Sequence, residues 1–336
     1  MDSVKPISIF LILVMSLFCI DPASCALVAF SGAGCKGYET WNWTAITHLS
    51  FWTAPPDSVR AVARQHGVRL FQDAHLPDKS TWTSSSSRKQ FAQEKVQQVK
   101  TTKLDGVFFD YEGNHLSSDE KKGYTELAKE VTAALKPYNA SLFVCVGGRP
   151  TYELRDYDYK GLSENSEFLF IMGYDMNFWD DYTCVTHQTC SPAEAPTKDI
   201  KAGIEQYLQD VSGDKLVLGL PWYGMNYEKV VGVLYQMNQI DYSDVLGVFD
   251  DDKISHKSYD DGSDTWIAEC KNTCVDKSKG NVIWYDDAKS LTPKYKLARD
   301  HKLHGVGMWK ADSLPTSASH SEECKDMWKA ISLWDV

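Results

Sequence analysis

The chain has 336 residues, of which 43% are hydrophobic and 24% charged, a composition typical of a folded globular protein and not of a disordered one. Its net charge of -11 argues against nucleic-acid binding, because phosphate contacts need clustered Lys and Arg and the sequence has no dense basic run. The length is sufficient for one large domain or two ordinary ones.

The first 25 residues have the pattern of a secretory signal peptide. Lys5 gives a basic start, residues 7–20 form an apolar stretch, and small residues follow up to Ala26. This stretch is too short for a membrane span, and no later apolar run reaches that length. We therefore expect a secreted or lysosomal protein without membrane association, glycosylated at Asn42 and Asn139, which each begin an Asn-X-Ser/Thr triplet.

The cysteines that follow this segment are expected to meet an oxidising compartment, which favours disulfides. Two pairs are close enough in sequence to close short loops: Cys184 with Cys190, and Cys270 with Cys274. Cys145 lies in the apolar run 142–146 and is predicted to be a buried free thiol. A zinc site with His187 between Cys184 and Cys190 is an open alternative, although no fourth ligand follows at a typical spacing.

Eight short apolar runs recur along the chain, with helical patterns between them. The runs cover residues 27–31, 48–53, 68–73, 105–112, 142–148, 168–175, 216–224 and 306–310. Continuous apolar runs of this kind are typical of parallel strands that are buried on both faces. The clearest helices are expected over residues 86–100, 117–136 and 196–211.

This alternation predicts an α/β protein, a (β/α)8 or TIM barrel over residues 26–336. A segment over about residues 226–290 breaks the rhythm with short strands and many Asp and Lys, and we interpret it as a small α+β insertion before the last strand. An open doubly wound sheet is the alternative. That fold usually carries a glycine-rich phosphate loop after its first strand, and residues 31–34 match such a loop only weakly.

The run LDGVFFDYE at residues 104–112 places acidic side chains on an otherwise buried strand. Because alternate side chains of a strand point to opposite faces, Gly106, Phe108, Asp110 and Glu112 share one face. The bulky apolar residues of the other face suit packing against helices, so Asp110 and Glu112 should point into the barrel at the carboxyl end of the strand, where barrel enzymes have their active sites. Two close carboxyls separate each other's pKa values, which allows one to serve as a general acid. Helix capping or pairing with Arg or Lys is the alternative role.

Further motifs follow this strand in a fixed order. Asp105-Gly106 with Asp110-Tyr111-Glu112 forms a DGxxxDxE pattern, and it is followed by Met172–Asp175, Gly219–Gly224, Trp284–Asp286 and Gly305–Trp309. Together, over residues 26–333, these motifs resemble family 18 of the glycoside hydrolases, the chitinase family, and most closely its di-N-acetylchitobiase branch.

The resemblance implies a retaining glycosidase that needs no metal or cofactor and acts on β-1,4-linked N-acetylglucosamine. In this mechanism the 2-acetamido oxygen of the substrate attacks the anomeric carbon in place of a protein nucleophile. Glu112 would be the general acid and then the base, Asp110 would hold the acetamido N–H, and Tyr174 would bind the acetamido oxygen. The implied sugar contacts are Trp309, Asp175, Trp222 and Tyr223. Trp side chains stack on flat sugar faces, although a core packing role is the alternative for each of them.

The expected substrate of a monomeric enzyme of this kind is chitobiose or a short chitooligosaccharide, including the chitobiose core of N-glycans, with the insertion forming one wall of the cleft. Phe108 departs from the family, whose members usually carry Asp or Asn there, and it removes a polar neighbour of Asp110. The alternative function is a catalytically weak or inactive chitinase-like lectin that binds N-acetylglucosamine oligomers. Such lectins typically lose the acid that this chain retains as Glu112.

Overall fold

The computed structural model describes residues 25–32, 34–113, 115–150, 155–176, 192–230, 233–275 and 279–332. These residues form a closed barrel of eight parallel strands and a separate antiparallel sheet of five strands. The predicted TIM barrel with an insertion before its last strand is therefore confirmed, and the open doubly wound alternative is wrong.

The strands follow one another along the chain as β1 (Ala26–Ser31), β2 (His48–Phe51), β3 (Arg69–Asp73), β4 (Gly106–Asp110), β5 (Ser141–Gly147), β6 (Leu169–Met172), β7 (Leu216–Pro221), β8 (Tyr223–Val230), β9 (Val233–Asp241), β10 (Ile254–Asp260), β11 (Thr265–Cys270), β12 (Val282–Tyr285) and β13 (Gly305–Trp309). Strands β1 to β7 and β13 form the barrel, in the order β1-β13-β7-β6-β5-β4-β3-β2. Each of them contains the centre of one of the eight predicted runs, because parallel strands buried on both faces leave the clearest apolar signal.

The α-helices within the described residues are α1 (Asp57–Gln65), α2 (Lys79–Thr83), α3 (Ser85–Thr102), α4 (Ser118–Leu135), α5 (Tyr159–Glu164), α6 (Thr197–Tyr207), α7 (Tyr242–Asp250), α8 (Ala288–Asp300) and α9 (Ser321–Ser332). Helix α4 begins with a capping box, in which Ser117 and Glu120 bond each other's backbone N–H groups. The three predicted helices correspond to α3, α4 and α6. No helix within the described ranges is long and apolar enough to cross a membrane.

The two faces of β4 pack as the alternation predicts. Val107 and Phe109 belong to the outer core between the barrel and its helices, whereas Phe108 belongs to a second core inside the barrel. Inside, aromatic rings follow one another in a continuous series of contacts that we call the aromatic column, made up of Phe168, Phe143, Phe108, Trp52 and Trp309. Successive ring centroids in the column are 4.9, 5.2, 5.2 and 5.1 Å apart. The interior below the site is thus filled mainly by aromatic rings.

An ion pair closes the barrel at the amino-terminal end of the strands. The Arg69 guanidinium lies 2.5 Å from the Glu167 carboxylate, and His48 lies 3.5 Å from the same carboxylate. Burial raises the pKa of Glu167, but the hydrogen bond from His48 and the charge of Arg69 outweigh it, so the pKa ends well below its usual range. This carboxylate is consequently ionised and contributes to stability at neutral pH.

The insertion forms the second sheet, with strand order β10-β11-β12-β8-β9. Its last turn is closed by the predicted disulfide between Cys270 and Cys274, which the structure confirms. Just after β12, the Asp286 carboxylate lies 2.5 Å from the Lys294 ammonium of α8, and both side chains are fully buried. This buried pair joins the insertion to the barrel.

The remaining cysteine predictions divide into two groups. Cys145 is buried and unpaired on β5, as predicted. Cys184 and Cys190, and with them the zinc alternative, lie outside the described residues.

Candidate active site

Two carboxyl groups lie at the carboxyl end of β4. Asp110 is the last residue of the strand, and its Oδ1 atom is enclosed and accepts no hydrogen bond from the part of the chain that the structure describes. Glu112 follows, with its side chain 56% exposed, and its Oε2 lies 3.3 Å from Nη2 of the buried Arg155. One carboxyl is therefore held inside the barrel mouth, while the other is free to turn toward a bound molecule.

The proton affinity of Asp110 is strongly perturbed. Burial raises its pKa to about 7, the negative charges of Glu112 and Asp73 act in the same direction, and Arg155 opposes them. Below about pH 7 Asp110 is therefore mostly protonated when no ligand is bound.

A carboxylate on the neighbouring strand lies level with Phe108. Asp73 of β3 is the register partner of Phe108, and the N–H of Ala74 donates to the Phe108 carbonyl at 2.9 Å. The buried Asp73 side chain accepts the His75 N–H at 3.1 Å and lies 2.5 Å from the ring Nδ1 of His75. Strand β4 has no acidic residue at position 108, but the Asp73 carboxyl group lies at the same level on the neighbouring strand β3.

Beyond β6, Tyr174 and Asp175 line the same pocket as Glu112 and Arg155. Burial raises the pKa of Tyr174 far above its usual range, so its hydroxyl remains a hydrogen-bond donor. The Tyr223 hydroxyl donates a short hydrogen bond to Asp175, and the Tyr174 and Tyr223 rings lie 6.2 Å apart. Tyr223 therefore supports Asp175 from behind.

Two tryptophans lie at the top of the aromatic column and, like Tyr174, pack against the core inside the barrel. Trp309 ends β13 and Trp52 follows β2, and their rings meet edge to face at 5.1 Å. Gly32 lies close beside Trp309, since a Cβ at position 32 would lie only 3.3 Å from a ring carbon of that residue. Both tryptophans are partly exposed and can present an apolar face to a sugar.

The structure does not bring Trp222 to this pocket. Trp222 is fully buried in the outer core, where its indole N–H donates to the Tyr295 hydroxyl at 3.1 Å and its ring lies 4.9 Å from that of Trp328. It lies on the opposite face of the chain from Tyr223, as adjacent residues in extended backbone do. We therefore assign Trp222 to packing and leave it out of the proposed sugar contacts.

Three residues at or near the site carry no sequence signal that singles them out. Arg155 and Glu194 lie in loops, and Trp52 extends a strand that we recognised only as apolar. The one available hint is that a charged residue in a Pro- and Ala-rich stretch, as Glu194 is, needs a partner if it is buried.

Other predicted sites are less closely connected with the pocket. Asn139 is exposed beyond α4 and Asn42 is partly exposed after β1, so both can be reached from solvent, and their glycosylation stays a prediction. Within the described ranges, no group of His, Cys, Asp or Glu side chains is arranged to hold a metal ion.

A family model and a curated relative both relate the chain to the same group of proteins. A family model described as "Glycosyl hydrolases family 18" matches residues 78–313. The chain is 28% identical over 330 residues to "Probable di-N-acetylchitobiase 2" of Dictyostelium discoideum. This alignment covers 88% of the chain and 82% of the relative.

Solved structures share the fold. A mutant GH18 chitinase from Cycas revoluta in complex with (GlcNAc)4 has a TM-score of 0.70 at 18% identity, over 90% of this chain and 99% of that one. The chitinase-like agglutinin RobpsCRA from Robinia pseudoacacia has a TM-score of 0.69 at 18% identity, over 90% of this chain and 98% of that one. A hydrolase and an agglutinin therefore share this barrel, and side chains must distinguish the two functions.

Proposed function

The chain belongs to glycosyl hydrolase family 18, and we propose that it hydrolyses β-1,4-linked N-acetylglucosamine in chitobiose or short chitooligosaccharides, including the chitobiose core of N-glycans. The observation that carries the proposal is the carboxyl pair at the end of β4, in which Asp110 is enclosed at Oδ1 and Glu112 is open to the cleft. The substrate class is supported by the similarity to a protein named as a di-N-acetylchitobiase.

The first step breaks the glycosidic bond without a protein nucleophile. Glu112 turns from Arg155 and donates its proton to the glycosidic oxygen, and the leaving sugar departs with that proton and the bonding electron pair. The carbonyl oxygen of the substrate's own acetamido group attacks the anomeric carbon from the opposite face and forms an oxazoline. The exposure of Glu112 gives it the freedom to reach that oxygen.

Asp110 controls this step by its charge. Asp110 turns toward the bound sugar, where its carboxyl accepts the acetamido N–H, and this bond supplies the donor that Oδ1 lacks in the free protein and favours the ionised form of Asp110. The proton of the pair then moves to Glu112, where it is needed, while the Asp110 carboxylate stabilises the positive charge that develops on the acetamido group.

Neighbouring groups hold the sugar in place for this attack. The Tyr174 hydroxyl donates to the acetamido oxygen and aligns it with the anomeric carbon, which lowers the entropic cost of the intramolecular step. The sugar stacks on Trp309 and Trp52, and Asp175 accepts a hydrogen bond at the wall.

The second step restores the sugar. A water molecule enters after the first product has left, and the Glu112 carboxylate accepts its proton as the water attacks the anomeric carbon. The acetamido group is released and Glu112 regains its proton. Two inversions at one carbon give net retention of configuration.

We further propose that the protein acts as a secreted or lysosomal monomer. The signal-like start of the sequence supports this setting, and so does the disulfide between Cys270 and Cys274, because disulfides persist in oxidising compartments.

A sugar-binding protein without activity is the second candidate function. Phe108 favours it, because the ring deprives Asp110 of a polar neighbour, and the barrel is shared with an agglutinin. The retained Glu112, Asp110 and Tyr174 favour the enzyme.

The purified protein is incubated with N,N′-diacetylchitobiose and chitotriose between about pH 4 and 7, and released N-acetylglucosamine is followed. Glu112→Gln is the test variant, and Glu205→Gln is its control, because Glu205 on α6 is similarly exposed but lies elsewhere. We expect release by the wild type and the control and none by Glu112→Gln. If all three proteins bind the sugars and none releases product, the lectin function replaces the enzyme.

A further inference from the structure

Glu194 is a buried carboxyl group behind Asp175 that the proposed reaction does not use. Only 7% of the residue is exposed, and it precedes α6 in the chain. Its side chain is hydrogen-bonded to the Asp175 side chain, and its backbone carbonyl accepts the N–H of Met176 at 3.0 Å. Glu194 therefore contacts both the side chain of Asp175 and the backbone that follows it.

Asp175 is in a conformation that needs such support. Its φ of 50° lies in the left-handed region, which a non-glycine residue keeps only when surrounding contacts fix it. The Tyr223 hydroxyl donates to the Asp175 carboxylate from β8, and Glu194 contacts it from the loop before α6. The Asp175 side chain is thus held between two partners, with its pocket side facing Glu112 and Tyr174.

The contact between two carboxyl groups requires a proton. Burial, together with the charge and hydrogen bond of Asp175, raises the pKa of Glu194 well above its usual range; Tyr227 and the more distant Asp286 are the other titratable groups that act on it. The Tyr227 hydroxyl lies 2.9 Å from the Pro192 carbonyl, which can only accept, and 3.2 Å from Oε1 of Glu194. Glu194 is the more deeply buried of the two carboxyls, and Asp175 already accepts the Tyr223 hydroxyl, so the shared proton lies on Glu194.

We propose that Glu194 is a positioning residue that, as a neutral acid, donates a hydrogen bond to Asp175 and so fixes that carboxylate at the wall of the cleft for a sugar hydroxyl. Asp175 then accepts hydrogen bonds from the Tyr223 hydroxyl and from Glu194, which together orient its carboxylate toward the pocket. The inference rests on the proposed function, because the ligand that Asp175 meets is taken to be an N-acetylglucosamine unit.

Two variants of similar volume separate the donated hydrogen bond from packing. Glu194→Gln keeps a donor, its amide N–H, and we expect its kcat/KM with chitotriose to stay within about threefold of the wild type. Glu194→Met fills the space but donates nothing, and we expect kcat/KM to fall by about 10- to 100-fold, mainly through KM, because Asp175 is no longer held in place. Glu205→Gln is again the exposed control.

A readout that does not depend on activity tests the proton itself. In D2O near neutral pH, the infrared difference between wild type and Glu194→Gln should contain the carbonyl band of one protonated carboxyl, and the Glu205→Gln difference should not.

The proposal is overturned if that band is absent, if Glu194→Met keeps wild-type kcat/KM, or if Glu194→Gln falls as far as Glu194→Met. Failure of the proposed function is a separate result. In that case the wild type releases no sugar, and calorimetric binding of chitotriose takes the place of kcat/KM, with binding kept by Glu194→Gln and weakened by Glu194→Met if Glu194 positions Asp175.

Discussion

Replacing Phe108 with Asn should return a polar partner to Asp110. Phe108 is fully buried inside the barrel, two residues below Asp110 on the same face of β4, with its ring 5.2 Å from those of Trp52 and Phe143. An Asn amide at this position can donate to the Asp110 carboxylate, which a phenyl ring cannot do. Phe108→Leu is the matched control, because Leu is close to Asn in shape and donates nothing.

The size of the effect follows from the hydrogen bond that is gained. A hydrogen bond to a charged group contributes about 1.5–3 kcal/mol, and one pKa unit corresponds to about 1.4 kcal/mol, so a well-formed bond lowers the pKa of Asp110 by about 1–2 units. We expect the pKa of Asp110 to fall by about one unit, because the introduced Asn amide must extend along β4 to reach the carboxylate two residues away. Both variants also lose part of a buried ring, for which full truncation to Ala costs about 3–5 kcal/mol, so each should be less stable than the wild type by a smaller amount.

The sign of the pH effect follows from the proton that the pair must hold. When both carboxyls are ionised, Glu112 has no proton for the leaving sugar, so kcat/KM should fall as pH rises through the Asp110 pKa of about 7. In Phe108→Asn this basic limb should move about one unit lower, and kcat should rise relative to Phe108→Leu because the proton lies more often on Glu112. The assay is the pH profile of kcat/KM for chitotriose, with urea unfolding measured separately. If the basic limbs of the Phe108→Asn and Phe108→Leu profiles fall at the same pH, the reasoning that the apolar side chain at position 108 raises the pKa of Asp110 is refuted.

Three other perturbations have defined outcomes. Asp73→Asn should move the same basic limb to lower pH by about half a unit, because the charge of Asp73 helps to raise the pKa of Asp110; an unmoved limb would mean that the two groups do not interact. Lys294→Met leaves Asp286 buried without its partner, and the free energy of unfolding in urea should fall by about 3–5 kcal/mol. Adding Asp286→Asn to Lys294→Met should recover most of that loss. If Lys294→Met alone is as stable as the wild type, Lys294 does not stabilise the buried Asp286 carboxylate. The depressed pKa of Glu167 contributes stability that is present above its unfolded value of about 4.3 and lost as pH falls below it. Glu167→Gln should therefore flatten the dependence of Tm on pH in that acidic range. If the dependence is as steep in the variant as in the wild type, other carboxyl groups cause it.

The barrel could be predicted because its strands obey a local rule. A parallel strand covered by helices on one side and by the barrel interior on the other must be apolar at nearly every position, and the eight runs show this without any knowledge of partners. The direction of Asp110 and Phe108 followed from the same geometry, since alternation fixes which side chains share a face.

Features that depend on several distant segments could not be predicted in this way. Arg155 approaches Glu112 from a loop 43 positions further along the chain, and no spacing links the two. Trp222 packs in the outer core, whereas its motif neighbour Tyr223, which is also buried, contacts Asp175 of the pocket through its hydroxyl. Alternation alone does not say which of two adjacent aromatic residues turns toward the site. The burial of Glu194 likewise arises from contacts with Asp175 and Tyr227, which come together only in the folded chain.

The aromatic column also determines how molecules move through the site. Packed rings occupy the barrel from Phe168 to Trp309, and the Arg69–Glu167 pair lies at the far end, so we expect molecules to reach the site through the mouth of the barrel. In the proposed reaction the first sugar must leave by the path through which water enters. The residence time of that sugar therefore decides whether the oxazoline is hydrolysed or returned to a sugar hydroxyl, and variants that hold the product more tightly should shift the enzyme from hydrolysis toward glycosyl transfer.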